Sequence, residues 1–395
     1  MRKFRVHKVS NSFYEINGIL TPRPLTPFNL SHVGLFYDDL AKAINFYRDI
    51  LGLAVTDVGA RAYLGGGEAP RLVFVRAGSE HHCVSLFPKN MRLPNDDARL
   101  QHSAWDIQTY SELLYSVDFL AVKGFKPEFL VRRLPGSNYA VYLLDPEANR
   151  IELAYGLEVI GWQGRPKPVE LWRRFLVEGR LPPAPINPPE EEIEDVRKEF
   201  AGFGENKCTY SGDRAFEIVP PPKNTSRFNA SGESRLRPFK IARIRYYAIR
   251  CYDLQALAKF YEEILGLRII SRGEKGEILF SSKSSNGPQL KLFPNNYQVG
   301  KNDGSRLVTI CFEMRSYGEL LAASKYLKSN GVPILYEGRG ESPDIHNEFC
   351  IDIEDASGNP IRLSFSPDTN GLRERAESRM RSHGFSGLPE NIECD

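Results

Sequence analysis

Glu152 is the residue of greatest chemical interest in the stretch YLLDPEANRIELAY (142–155). Carboxylates in proteins bind metal ions or transfer protons, but a carboxylate on a strand also commonly faces solvent. Apolar residues alternate with Glu152 and Ala154, which predicts a β-strand after the tight turn DPEAN. Glu152 is therefore expected on the face opposite Ile151 and Leu153, and this stretch alone leaves a functional and a solvent-facing role both open.

Other residue types that carry chemistry form no recognisable local site. The six cysteines are scattered and form no CxxC pair, which favours reduced thiols in the cytoplasm over a disulfide framework. Ser103 and Cys83 each lie beside a histidine, but adjacent strand residues point to opposite faces, so no nucleophile–base pair is predicted. The glycine-rich GGGEAP at 65–70 lacks the Lys-Ser/Thr pair of a phosphate-binding loop.

The composition describes an ordinary globular chain. With 395 residues, 41% hydrophobic and 26% charged, the sequence is long enough for two domains with full cores. A net charge of +2 predicts neither a nucleic-acid partner nor a membrane surface. The basic N-terminus is followed by no apolar signal region, and no apolar run approaches the length of a membrane span, so we expect a cytoplasmic protein.

The elements that must position any site are revealed by an internal repeat. HVGLFYDDLAKAINFYRDILGL begins at His32, and YYAIRCYDLQALAKFYEEILGL begins at Tyr246. Each segment predicts a strand, an aspartate at a helix start, an amphipathic helix and a glycine stop. Without gaps the two share the closing ILGL and four paired positions: Asp39/Asp253, Leu40/Leu254, Phe46/Phe260 and Tyr47/Tyr261.

The repeat extends beyond these segments. VSLFPKN matches LKLFPNN, ARLQHSAWDI matches SRLVTICFEM, and LLDPEANRIELAY matches IEDASGNPIRLSF. The chain is therefore a duplication of a unit of roughly 130 residues. The strand–helix theme occurs twice in each unit, which predicts an α+β fold of four βαβββ modules paired into two curved sheets. The expected divisions are an N-terminal extension at 1–27, a first domain at 28–157, a linker with Trp/Pro-rich and charged helical segments at 158–239, a second domain at 240–366, and a C-terminal tail at 367–395.

The sequence resembles a known superfamily through four motifs. These are HVGLFYDDLAKAINFYRDILGL at 32, HHCVSLFP at 81, LQHSAWDI at 100 and YLLDPEANRIEL at 142. They resemble the vicinal oxygen chelate superfamily and, within it, the two-domain extradiol (catechol 2,3-) dioxygenases. The resemblance covers both domains and implies two cups of the glyoxalase/extradiol-dioxygenase type. Because the superfamily also includes glyoxalases, epimerases and resistance proteins, the motifs are less specific for the reaction.

The resemblance implies a metal site in the first domain. In that family the ligands are a histidine opening each of two modules and a glutamate on the last strand. The matching positions are His32, His102 and Glu152. Two imidazoles and one carboxylate make a facial triad that leaves three positions open on an octahedral ion, two for a catecholate and one for dioxygen. The implied metal is Fe(II), with Mn(II) as the alternative.

The second domain provides an internal comparison. The positions that match the three implied ligands are Tyr246, Thr309 and Arg362. All three ligands are absent together while the scaffold residues remain, so we predict that only the first domain binds metal. In the best-known two-domain extradiol enzymes the active cup is the C-terminal one, and the order here is reversed.

Three further positions are implied to lie near the substrate. His82 matches the family's distal histidine, an acid/base residue; otherwise it is an exposed strand histidine, with His81 on the other face. Tyr142 matches a tyrosine that bonds the substrate oxygen; otherwise it is a core residue. Arg133 stands where the family motif G-R-H-x-P-G-S-N has histidine. Arginine cannot act as a base, so Arg133 would hold a carboxylate or phenolate of the substrate, or lie outside the cup.

The expected function is that of an Fe(II)-dependent extradiol dioxygenase, which incorporates both atoms of O2 into a catechol-type aromatic diol. One alternative is a non-redox metal enzyme, a glyoxalase- or epimerase-like isomerase or lyase. Such enzymes usually need a second carboxylate, whereas the fourth potential ligand here is His82. Another alternative is a non-catalytic protein that binds an aromatic ligand. Proteins with two such cups often assemble, so a homo-oligomer stays open.

Overall fold

The structure is a computed structural model of the whole chain. It describes residues 6–10, 13–16, 19–21, 25–59, 72–132, 138–160, 179–183, 226–230, 233–285, 287–296, 304–340 and 348–366. Arg133, the predicted charged helical segment of the linker and the tail at 367–395 lie outside these ranges. No helix in the described ranges is long and apolar enough to cross a membrane. Four buried cysteines in those ranges carry free thiols: Cys83, Cys251, Cys311 and Cys350.

The first repeat forms one eight-stranded sheet. A small antiparallel sheet of β1 (Val6–Ser10), β2 (Phe13–Ile16) and β3 (Ile19–Thr21) precedes it. The first module comprises β4 (Asn29–Tyr37), α1 (Leu40–Ile44) with a π-helical continuation (Asn45–Ile50), β5 (Ala54–Gly59), β6 (Leu72–Arg76) and β7 (Val84–Pro88). The second comprises β8 (Leu100–Asp106), α2 (Tyr110–Val122), β9 (Phe129–Arg132), β10 (Tyr139–Leu144) and β11 (Arg150–Tyr155), after a short 3₁₀ turn (Lys89–Met91). The strand order is β5-β6-β7-β4-β8-β11-β10-β9.

The second repeat forms a second sheet with the same topology. It follows a short ribbon of β12 (Phe228–Ala230) and β13 (Glu233–Arg235). Its third module comprises β14 (Ile241–Cys251), α3 (Leu254–Lys259) with a π-helical continuation (Phe260–Ile264), β15 (Arg268–Arg272), β16 (Ile278–Ser281) and β17 (Leu290–Pro294). The fourth comprises β18 (Leu307–Met314), α4 (Tyr317–Ser329), β19 (Ile334–Arg339), β20 (Phe349–Glu354) and β21 (Pro360–Phe365). The strand order β15-β16-β17-β14-β18-β21-β20-β19 repeats that of the first sheet, so the predicted α+β fold of four βαβββ modules is confirmed.

The helix boundaries follow from the residues that the sequence placed there. The Asp39 carboxylate accepts from the backbone N–H of Lys42 at 3.0 Å and caps α1. Asp253 caps α3 in the same way. The helical segment of the first repeat ends before Gly52, whose φ of +77° is a conformation that favours glycine. Both repeats therefore present the same strand–helix unit to their sheets.

The two repeats are joined through reciprocal hydrogen bonds. The hydroxyl of Tyr47 in the first repeat donates to Asp355 Oδ2 in the second at 3.3 Å. The hydroxyl of Tyr261 in the second repeat donates to Asp145 Oδ2 in the first at 3.1 Å. Each aspartate opens the tight turn before the last strand of its repeat, and most of the buried apolar residues of both repeats form one continuous core. Each turn is thus fixed by the other repeat.

Candidate metal centre

Three neighbouring strands in the middle of the first sheet bring the implied ligands together. His32 lies on β4, His102 on β8 and Glu152 on β11. His32 and Glu152 each lie beside Ala104 of β8, while His102 lies beside Gly34 of β4. This register places the three side chains on the same face, and they are only 1–3% exposed. Their ligand atoms all lie within 4.8 Å of one another.

The distances suit a single first-row metal ion. Glu152 Oε2 lies 3.4 Å from His32 Nε2 and 3.3 Å from His102 Nε2. Cis ligands of an octahedral ion with bonds of about 2.1 Å are roughly 3 Å apart, so small movements would bring these atoms to bonding geometry. His102 Nε2 is buried and makes no hydrogen bond to any described residue. Its contact with the Glu152 carboxylate is not a formed hydrogen bond, and a metal ion bound by both groups would satisfy the nitrogen.

The protonation states are those that metal ligands require. Burial lowers the pKa of His102 to about 4, so its imidazole is neutral near pH 7. Burial alone would raise the pKa of Glu152, but its contacts with His102 and His32 outweigh burial and hold that pKa well below its usual range. A neutral imidazole and an ionised carboxylate need to lose no proton before they bind a divalent ion.

A second set of side chains orients the ligands. Ser31 Oγ lies 3.3 Å from His32 Nδ1, and Gln101 Oε1 contacts His102 Nδ1. Asn138 Nδ2 donates to Glu152 Oε1 at 2.6 Å, which leaves Oε2 facing the two histidines. Such partners fix the ring orientation and the tautomer of metal ligands. Sequence reasoning did not select Ser31, Gln101 or Asn138, although the first two directly precede ligands and Asn138 ends the LPGSN motif.

Gly34 gives the ring of His102 its space. A Cβ atom at Gly34 would lie 2.5 Å from His102 Nδ1 and 2.6 Å from Cε1, closer than real Cβ atoms approach other atoms. In the second repeat, Ala248 lies beside Thr309, the pair that corresponds to Gly34 and His102. Glycine therefore occurs where the neighbouring strand carries histidine, and alanine occurs where it carries threonine.

His82 lies against the candidate ligands. Its ring centroid is 4.0 Å from that of His32, and it is 3% exposed. Burial, together with the neighbouring His32, lowers the pKa of His82 well below its usual value. The expectation that His81 and His82 point to opposite faces of a strand is wrong. Residues 81–83 precede β7 and form a bend instead of a strand, so both rings are buried and their Nδ1 atoms are 2.9 Å apart.

Aromatic side chains surround the candidate metal centre. The Tyr142 ring lies 6.1 Å from that of His102, on β10 directly beside Glu152. Phe87 lies 5.9 Å from His102, and Phe74 lies 4.7 Å from His82. The third predicted substrate residue, Arg133, lies outside the described residues. The cup thus combines three potential ligands with a mainly apolar wall.

The corresponding face of the second sheet has different chemistry. Tyr246 and Arg362 both lie beside Cys311, as His32 and Glu152 lie beside Ala104. Arg362 makes two hydrogen bonds to Asp352, of 2.6 and 2.7 Å. Glu348, fully buried, lies 3.1 Å from Arg245 Nη1 and 3.8 Å from Lys291 Nζ. Among the described residues, His32, His102 and Glu152 of the first cup are the single group that could hold a metal ion.

Comparison with known proteins identifies the family. A family model described as the Glyoxalase/Bleomycin resistance protein/Dioxygenase superfamily matches residues 29–153 and 243–363, which together exceed half of the chain. The chain belongs to this superfamily. Both repeats match, so the superfamily fold occurs twice in one chain, as the two equivalent sheets show.

The proteins to which the chain is similar include a metapyrocatechase, a dioxygenase and a glyoxalase. Metapyrocatechase 2 of Cupriavidus necator is 31% identical over 135 residues, which is 34% of this chain and only 38% of that protein. The 2,3-dioxygenase LapB of Pseudomonas sp. KL28 is 14% identical with a TM-score of 0.55, covering 88% of this chain and 96% of its own. A Mn(II)-bound glyoxalase of Novosphingobium aromaticivorans is also 14% identical, with a TM-score of 0.54 and coverages of 86% and 82%. The two structural likenesses show the fold alone.

Proposed function

We propose that this protein is an extradiol dioxygenase that uses Fe(II) and O2 to open a catechol-type aromatic ring. The observation that carries the proposal is the buried group of His32, His102 and Glu152, whose ligand atoms lie within 4.8 Å of one another. The similarity to metapyrocatechase 2 supports the same reaction class. When bound, the metal would supply adjacent coordination positions at which a catecholate and dioxygen meet.

The residues of the chain would bind the substrate and move its protons. His82 is the proposed acid/base residue, because its neutral imidazole lies beside His32 and can accept a proton from a substrate hydroxyl. Tyr142 is proposed to donate a hydrogen bond from its phenol to a substrate oxygen. Phe74 and Phe87 would pack against the aromatic ring and exclude water from the cup.

The composition of the site favours a dioxygenase over a non-redox isomerase or lyase. The metal-competent group contains a single carboxylate, Glu152. The ring of His82 lies against the group, and the buried carboxyl of Asp106 hydrogen-bonds to Ser31 and is not a member of it, whereas enolate chemistry in this superfamily usually uses a second carboxylate. The fold likeness to a Mn(II)-bound glyoxalase does not distinguish the two reactions, because fold alone does not determine chemistry.

Oxygen uptake tests the proposal. Protein reconstituted anaerobically with Fe(II) is mixed with a panel of catechols, and O2 consumption and a coloured ring-fission product are recorded. We expect His102→Ala and Glu152→Ala to lower the rate at least 10²-fold, because each removes a metal ligand. Thr309→Ala, at the position of the second sheet that matches His102, is the control and should keep the activity.

Two results would contradict the dioxygenase. One is the absence of O2 uptake with every vicinal diol when the protein carries a full equivalent of Fe(II). The other is equal uptake by wild type and Glu152→Ala. If wild type binds metal and the Glu152→Ala variant does not, yet no oxygen is consumed, the metal site stands and non-redox chemistry becomes the better assignment.

A further inference from the structure

A chain of three buried side chains leads away from the candidate metal centre. It begins at His82, whose ring lies against that of His32. His82 Nδ1 lies 2.9 Å from His81 Nδ1, and His81 Nε2 lies 3.4 Å from Asp57 Oδ2. His81 and Asp57 are both 0% exposed.

The order of donors and acceptors in this chain follows from elementary chemistry. Two ring nitrogens 2.9 Å apart share one hydrogen, so one Nδ1 donates and the other accepts. Asp57 Oδ2 contacts His81 Nε2 at 3.4 Å without the geometry of a hydrogen bond, and a carboxylate beside a ring nitrogen favours the tautomer that carries its hydrogen on that nitrogen. In that tautomer His81 has a bare Nδ1, which accepts from Nδ1–H of His82. His82 is left with an unprotonated Nε2.

The comparison of the two repeats also links this chain of three side chains to the candidate metal centre. Ser271 is the residue of the second sheet that matches Asp57, as the pairing of β5 with β6 and of β15 with β16 shows. Gly287 and Pro288 match His81 and His82, because Gln289 and Cys83 make equivalent backbone hydrogen bonds. The second repeat therefore lacks the whole chain of three together with the three ligands. Residues that served only the fold would not be expected to differ as a set.

Packing isolates the chain from solvent. The ring of Phe74 lies 5.2 Å from that of His81 and 4.7 Å from that of His82. In such apolar surroundings a buried carboxylate without a partner would lower the free energy of unfolding by roughly several kcal/mol. A hydrogen bond inside this environment is correspondingly more directional and stronger than in water. The geometry is therefore suited to hold one arrangement of protons.

We propose that Asp57 and His81 are positioning residues, which hold the His82 ring in place and keep its Nε2 unprotonated toward the cup. The inference rests on the proposed function, which gives that nitrogen its task. The proton that leaves the substrate hydroxyl is taken up by Nε2 of His82 and later returned to the ring-opened product.

The tautomer can be read directly by nitrogen NMR. Full-length protein labelled with ¹⁵N-histidine and loaded with diamagnetic Zn(II) gives well-separated signals for protonated and bare ring nitrogens, and His81→Gln and His82→Gln assign them. We expect wild type to show protonated Nδ1 and bare Nε2 at His82. In Asp57→Asn the new amide donates to His81 Nε2, reverses the chain and protonates His82 Nε2. Asp145→Asn is the control. It makes the same change at a buried carboxylate outside this chain of three side chains and should leave the His82 signals unchanged.

Activity of the Fe(II)-loaded variants gives the second measurement. We expect Asp57→Asn to lower kcat about 10²- to 10⁴-fold, the range for loss of general acid–base catalysis, while metal affinity stays that of wild type. If Asp57→Asn does not fold, Asp57→Ser replaces it, because the second repeat folds with Ser271 at that position. Asp57→Ser removes the acceptor and should broaden or mix the two tautomers of His82.

The outcomes separate this inference from the proposed function. A wild-type spectrum with bare Nδ1 and protonated Nε2 at His82 would overturn it, whatever the activity. The same tautomer in wild type and in both Asp57 variants, or a kcat unchanged after the tautomer reverses, would also overturn it. The expected tautomers in a protein that consumes no oxygen would support the positioning role and refute the dioxygenase.

Discussion

Gly34→Ala should remove the metal site without unfolding the protein. The added Cβ would lie 2.5 Å from His102 Nδ1, whereas ordinary contacts begin near 3.4 Å. The ring must therefore move by roughly 0.9 Å, because the strand backbone on both sides is fixed by the sheet. Metal bonds tolerate errors of only about 0.2 Å, so this movement withdraws one of three ligands. We expect the metal dissociation constant to rise at least 10²-fold.

The assay is a titration with Mn(II) or Fe(II) against a chelator of known affinity, combined with thermal unfolding of the metal-free protein. The metal-free variant should unfold near the wild-type temperature, because Ala248 occupies the matching position of the second sheet. Ala248→Gly is the matched control and should not change metal affinity. A Gly34→Ala protein that binds metal as tightly as wild type would refute the steric argument and the assignment of His102 as a ligand.

Three further predictions concern the support of the site, its pH dependence and the second cup. Asn138→Ala removes the donor to Glu152 Oε1 and should raise the metal dissociation constant about 10- to 100-fold in the same titration; an unchanged constant would contradict the role. In metal-free protein the pKa of His102 is about 4, against about 6.5 when unfolded, so between these values only the unfolded chain takes up the proton. The free energy of unfolding should therefore fall by on the order of 3 kcal/mol as the pH drops from about 6.5 to about 4, and His102→Gln should flatten this slope in urea denaturation. Glu348→Gln leaves Arg245 buried without its carboxylate and should cost about 3–5 kcal/mol of stability, measured by denaturation, while metal binding in the first cup is retained.

The fold could be predicted because its signals are local and occur twice. The aspartates that cap α1 and α3 and the glycines that end these segments are visible in short stretches of sequence. The duplication then links the weaker second module to the stronger first one. The turn DPEAN followed by alternating residues correctly indicated β11 and the face on which Glu152 lies.

The surroundings of the candidate site could not be predicted in the same way. His81 and His82 were assigned to a strand, but a bend turns both rings inward, and a bend of three residues has no periodicity to reveal it. Asp57 meets His81 only because β5, β6 and β7 are neighbours in the sheet. Asn138 directly precedes β10 and donates to Glu152 on β11. Such a contact depends on how the two strands are aligned.

The same limit applies to the second cup. The loss of its three ligands was evident from the sequence, because those positions could be compared one by one. The cluster of charged residues in that cup was not evident, since Arg245, Lys291 and Glu348 come from three separate segments. Their meeting is a consequence of sheet order that no local pattern encodes.

The two halves of the chain are built alike but differ in the chemistry of their cups. They are joined by reciprocal hydrogen bonds, between Tyr47 and Asp355 and between Tyr261 and Asp145. The half that carries the three candidate ligands shares its core with the other half, so we expect it to lose stability when it is produced alone. The two cups therefore differ in their interiors while their turns make equivalent hydrogen bonds. An engineer who wished to install a new binding site in this protein would start with the interior of that second cup and leave its turn untouched.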